Sequence, residues 1–329
     1  MFTALLALFL PLLAGLIAGR TRMFESKDAL IVLTRFALAV AFPALIIASW
    51  IDPRQGIDIA PSALLLVFVG PLVGTLLALA MGGPHRGSVA LVALFGNSSF
   101  LGLPLAEAVF GPEAIPAASL AMIVHAALGV LIGIPLVRRD VTTVSPGSRA
   151  SPGSAWKALR SNPLLWAPPL GMALRLLLAA VALSDHTVTI YFVDALRTLG
   201  RSSGPVGIFV LGLFLSRRIA AWPLASLLVT WRYILARLVL PPALTLLVGA
   251  LLVDQDSLDP KAFRVLVLQA STPAAISTFA MVFEVQAEAS AHGSGGGASE
   301  EVAKAIVVTS LLAVFTMAFF LALAVHVSP

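Results

Sequence analysis

Two short polar clusters stand inside apolar stretches of this 329-residue chain. The first is Gly96, Asn97, Ser98 and Ser99, in FGNSSFLGLP. The second is Ser271, Thr272, Pro273 and Ala274, followed by Ser277 and Thr278, in LQASTPAAISTFAMVFE. A carboxamide and a few hydroxyls donate and accept hydrogen bonds but provide no activated nucleophile. Their chemistry is therefore recognition rather than bond making. Gly96 weakens a helix through its conformational freedom, and Pro273 does so by deleting an amide donor. A helix that breaks and restarts presents free amides at a positive dipole end, which favours an anionic group such as a carboxylate. The competing account is packing: Asn97 caps the second half-helix, and Ser98 and Ser99 bond back to carbonyls as polar glue between helices. Matching clusters in two places favour recognition.

The elements that must position these clusters are membrane helices. Hydrophobic residues make up 59% of the chain and charged residues 11%, with a mean hydropathy of +1.00. Soluble domains carry about 25% charged residues. Ten apolar runs are long enough to cross a hydrocarbon core about 30 Å thick. They cover residues 3–19, 29–51, 59–81, 88–110, 115–137, 162–183, 203–219, 224–252, 262–286 and 302–326. The first run has no basic residue ahead of its apolar core and no small-residue cleavage site, so it reads as a retained helix.

The absence of cysteine excludes disulfides, thiolate metal sites and thiol nucleophiles. There is no H-E-x-x-H pattern, no acid/base pair within the spans and no phosphate-cradling G-x-x-x-x-G-K-S/T sequence. These absences argue against an intramembrane enzyme and against direct ATP hydrolysis. No metal site, cofactor or nucleic-acid partner is expected, and the basic balance of a membrane protein reports topology. Under the ten-span reading, Arg20, Arg22, Lys27, Arg86, Arg138, Arg139, Arg149, Lys157, Arg160, Arg217, Arg218 and Lys304 share one face. The opposite loops carry Arg54, Lys261 and Arg264, with Arg197 and Arg201 at their border. The basic face is expected to be cytoplasmic, with both termini outside.

Residues 138–160, RRDVTTVSPGSRASPGSAWKALR, read as a flexible cytoplasmic linker between a first five-helix repeat, 1–137, and a second, 161–329. An odd number of spans per half inverts the second half, which is the inverted-repeat architecture of secondary transporters. The clusters then fall on spans four and nine, the penultimate span of each half. A glycine-rich tip at 291–301 precedes the last span, with Ser299 as its expected cap.

Four segments carry a resemblance to a known family: GNSSFLGLPLAEAVFG at 96–111, SNPLLWAPPLGMAL at 161–174, GPVGIFVLGLFLS at 204–216 and LQASTPAAISTFAMVFEV at 268–285. Together they resemble the auxin efflux carrier family, which includes plant PIN proteins and bacterial permeases for malonate, malate and similar acids. The resemblance covers essentially the whole chain. It implies an all-α polytopic protein with broken, crossing helices four and nine, as in the sodium/proton-antiporter fold, and an elevator-type motion. It also implies a homodimer in the bacterial inner membrane. The family's crossing carries a proline followed by a polar residue facing the substrate, and Asn97 matches that polar position. The chain departs in having Gly96 for the first proline and Ala274 after Pro273, so binding in the second half passes to Ser271, Thr272, Ser277 or Thr278.

Ionisable residues at membrane depth are costly and usually functional. His125 either meets a substrate carboxylate, carries a coupling proton, or bonds a neighbouring helix. Arg35 either snorkels to the interface or contacts substrate. Glu107 and Glu284 follow their helix breaks at equal spacing and serve either gating or simple solvation at helix ends. The leading expectation is a secondary carrier for a small organic anion. Sodium symport of the bile-acid type, proton symport, uniport, and a receptor or channel on the same fold stand as alternatives.

Overall fold

The computed structural model describes residues 2–24, 27–54, 60–144, 163–219, 230–290 and 297–328. Among the described residues every extended regular element is a helix. This is what a backbone crossing lipid requires, because a helix satisfies its own amides and carbonyls. In the first half the helices are α1 Phe2–Ala18, α2 Lys27–Phe36, α3 Phe42–Ile51, α4 Pro61–Ala80, α5 Arg86–Leu94, α6 Leu103–Phe110, α7 Ile115–Leu128 and α8 Ile134–Val144. In the second they are α9 Pro163–Ala180, α10 Thr187–Gly200, α11 Ser203–Ile219, α12 Trp231–Ile234, α13 Leu240–Asp254, α14 Pro260–Ala270, α15 Ile276–Ser290 and α16 Ala298–Val327. π-helical turns at Ala37–Ala41, Gly129–Gly133 and Leu235–Val239 join consecutive helices, and a fourth at Ser98–Gly102 leads into α6.

Seven helical runs are long and apolar enough to cross a membrane: Ala29–Ile51, Pro61–Ala80, Pro112–Asp140, Pro163–Ala180, Thr187–Ser216, Trp231–Asp254 and Ala298–Val327. The chain is an all-helical, multi-pass membrane protein. α1 is a shorter apolar helix of 17 residues, and the two polar-cluster segments are interrupted, so none of these is among the seven. The run expected at 203–219 is preceded by α10, which the hydropathy reading passes over. Thr187, Thr189, Asp194 and Arg197 dilute its apolar character, yet Thr189 and Val193 are buried. Helix α8 continues to Val144, into the stretch read as linker, and residues 145–160 lie outside the described residues. The cap of α16 is Gly297 rather than Ser299, whose amide donates instead to Gln286 Oε1 at 2.9 Å.

The chain forms two compact units, each drawing on both sequence halves. The first comprises residues 1–59, 99–123 and 160–220. Within it α1 lies against α11 at close range: a Cβ on Gly15 would stand 2.2 Å from the Phe209 carbonyl oxygen, and one on Gly212 2.3 Å from that of Leu12. Small residues at such a crossing let two backbones approach. Helix α3 packs on α9 and α10 and ends in an ionic cluster. Asp52, 1% exposed, accepts from Arg54 Nε at 2.8 Å and Arg197 Nη2 at 2.5 Å. Arg54 also reaches Asp194 at 2.8 Å, and Arg175 donates to the carbonyls of Trp50 and Asp52. Burial pushes the Asp52 carboxyl up, but the hydrogen bonds from Arg54 and Arg197 outweigh it and hold the group below the usual carboxylate range.

The second unit comprises residues 60–98, 124–159 and 221–329. Within it α5 packs on α4 and α8, and α14 packs on α13 and α16. Both polar clusters, apart from Ser99, belong to this unit.

Candidate functional site

Helix α5 stops at Leu94, and Phe95 leaves the helical region at φ −119°, ψ 88°. Helix α14 stops at Ala270, and the chain becomes helical again at Ile276. The two unwound stretches run antiparallel, with Gly96 opposite Ala274 in a β-bridge. Asn97 N–H donates to the Pro273 carbonyl at 2.7 Å, and Ala275 N–H to that of Phe95 at 3.2 Å. Each break thus satisfies backbone groups that the other frees, where lipid cannot.

Arg237 laces the two breaks together from the π-turn Leu235–Val239. Its Nε donates to the Thr272 carbonyl at 2.7 Å and its Nη1 to that of Ala93 at 3.1 Å. Its Nη2 donates to the Gln269 carbonyl at 3.3 Å and to Thr272 Oγ1 at 2.9 Å. Ala93 and Gln269 lie in the last turns of α5 and α14, where the helix dipole favours a cation. The guanidinium also explains the glycine. A Cβ on residue 96 would lie 1.8 Å from Arg237 Nη2 and 2.6 Å from Thr272 Oγ1, so no larger residue fits without displacing Arg237.

Asn97 is buried, and its Nδ2 has no hydrogen-bond partner. Ser98 Oγ and His125 Nδ1 share a hydrogen bond of 2.9 Å, which brings the buried histidine directly to the first break. Ser99 is half-buried and falls in the first unit. In the second cluster three hydroxyl protons are spent locally: Ser271 donates to Val267 O, Thr272 to Gln269 O and Thr278 to Ala275 O. Such back-bonding satisfies the hydroxyls locally and competes with the regular helix where it ends. Ser277 is half-buried in the first turn of α15. Ala274 offers no polar side chain, but its amide donates to Thr309 Oγ1 of α16 at 3.2 Å. Glu107 lies in α6 of the first unit, within electrostatic reach of Arg201 and Arg197. The side chain of Glu284 lies outside the described residues.

The sequence reading missed Arg237, Gln269 and Thr309. Gln269 is 0% exposed and neither atom of its carboxamide has a partner. For Arg237 the available signal was an arginine inside the apolar run WRYILARLVLPP, a costly placement at membrane depth. The assembled site therefore offers one cation, unpartnered amides and back-bonded hydroxyls. Among the described residues no carboxylate forms an ion pair with Arg237, and no cluster of His, Asp and Glu suits a metal ion.

A family model described as a membrane transport protein matches residues 1–321, a span that contains both breaks and Arg237. The chain belongs to the auxin efflux carrier family of membrane transport proteins. A comparison with curated proteins finds no match. The family assignment makes the chain a membrane transport protein.

Proposed function

We propose that this transport protein is a secondary carrier for a small organic anion, a mono- or dicarboxylate, working by elevator-type alternating access in a bacterial cytoplasmic membrane. The observation that carries the reading is the crossing of the two broken helices. There a buried guanidinium, with no acidic partner among the described residues, lies against Gly96, and the next residue, Asn97, carries a buried Nδ2 without a partner among them. Ten helices in two inverted five-helix repeats account for the equivalent position of the breaks. The crossing residues other than Ser99 lie in the second compact unit, which suits a body that carries its cargo through the membrane while the first unit serves as frame. The positive-inside bias of the loops supports both termini outside.

Purified protein in proteoliposomes tests the reading by counterflow of radiolabelled malonate and malate, with and without sodium and pH gradients. Saturable exchange is expected, and its response to each gradient distinguishes sodium symport, proton symport and uniport. Folded protein that exchanges neither acid under any gradient would count against the carrier and for a receptor role on the same fold.

A further inference from the structure

We infer that Arg201, in the first unit, lines a water-filled recess inside the membrane and gathers the transported anion there. The inference goes beyond the carrier reading but rests on it for the cargo. Hydropathy sets Arg201 at the border of a loop, yet it stands midway along the helical run Thr187–Ser216. A helix of that length reaches about 45 Å, against a hydrocarbon core of about 30 Å. Even with all of the excess on one side, Arg201 lies about 6 Å inside the core. It is nevertheless exposed, and among the described residues its guanidinium has neither a hydrogen bond nor an ion pair. Charged groups inside spans face protein or water. Exposure leaves water.

The backbone gives the same answer independently. Helix α10 ends at Gly200 and α11 begins at Ser203, so the run breaks at Arg201 and Ser202. A break at membrane depth is tolerated only where protein or a watery cavity surrounds it. Protein covers one side of this break. Ser203 and Gly204 are buried, and a Cβ on Gly204 would stand 3.1 Å from Pro104 Cβ of α6. On the other side Arg201 is exposed and Ser202 half-buried, with the Ser202 hydroxyl donating back to Leu199 O at 2.7 Å.

The contact with α6 also brings an acid alongside. Glu107 follows Pro104 by about one turn and lies within electrostatic reach of Arg201 without forming an ion pair to it. The other cations of this end are engaged: Arg54 and Arg197 both bond Asp52 and approach Asp194. Arg201 is thus the cation here that can meet a mobile anion, and Glu107 opposes its pull. The competing account has Arg201 snorkel to the interface, away from any cargo.

The chain contains no cysteine, so a single one can be placed without background. Arg201→Cys and Leu199→Cys are reconstituted in proteoliposomes and treated with two membrane-impermeant thiosulfonates, one carrying a trimethylammonium group and one a sulfonate. Leu199 is an apolar neighbour, 41% exposed. A thiol in water ionises and reacts while one facing lipid does not, so position 201 is expected to react at least about tenfold faster. Counterflow of radiolabelled malonate then reads the charge. Arg201→Cys is expected to raise KM about threefold or more with kcat little changed, because the local anion concentration falls. The trimethylammonium adduct should bring KM back toward the wild-type value, and the sulfonate adduct should raise it further. Glu107→Gln should lower KM. Equally slow labelling at the two positions overturns the recess and returns Arg201 to snorkelling. Fast labelling at 201 with the same KM for both adducts overturns the gathering role and leaves the carrier reading standing. Fast labelling when folded wild-type protein exchanges no acid overturns the carrier reading, and the gathering role with it, but supports the recess.

Discussion

Removing the carboxamide of Asn97 separates recognition from packing, because its Nδ2 bonds nothing among the described residues while its backbone amide donates to the Pro273 carbonyl. Asn97→Ala is expected to change stability by less than about 1 kcal/mol and to reduce uptake by about tenfold or more. Melting in detergent and transport kinetics on the same preparation check both halves. Normal kinetics would return Asn97 to the packing account. Gly96→Ala has the opposite signature. Its Cβ would meet Arg237 Nη2 at 1.8 Å, so the guanidinium must give up its position between the breaks. Overpacking of this kind costs about 1–3 kcal/mol, and a clear fall in melting temperature is expected. An unchanged melting temperature would contradict the placement of Arg237.

Among the elements, the end of α3 shows how charge fastens helices within the first unit. Asp52 is buried against Arg54 and Arg197, and Arg175 holds the carbonyls just before and at it. Asp52→Asn is expected to destabilise the protein by about 2–3 kcal/mol, the usual worth of charge-assisted hydrogen bonds. The folded protein holds this carboxyl below its unfolded value. Its contribution is therefore complete above the unfolded pKa of about 3.9 and is lost as pH falls through the lower folded value. Unfolding followed from neutral to acid pH should show that loss in the wild type and lack it in Asp52→Asn. Parallel profiles would refute the assignment.

The same scale shows what hydropathy and spacing could convey. The long apolar spans and the two polar interruptions are legible, because length and a local cluster of Asn, Ser, Thr, Gly and Pro are one-dimensional signals. Helix α10 is not, since its polar residues lower the average while one face still packs inward. Arg237 escapes for a different reason. Three of its four bonds go to backbone carbonyls, one of them 144 positions away, and no pattern of side chains announces such bonds. Ala274 likewise reads as a lost polar group until Thr309 arrives from α16.

For the whole molecule, the two compact units cut across the sequence halves, and each combines segments from both. Both breaks and Arg237 fall in one of these units. The central claim is that the crossing binds the transported anion. Counterflow of radiolabelled malonate and malate into proteoliposomes, run side by side for the wild type and Asn97→Ala at matched levels of folded protein, tests it most directly. Saturable exchange is expected in the wild type, with its loss in the variant. Equal exchange by the two proteins would place the transported anion somewhere other than the crossing.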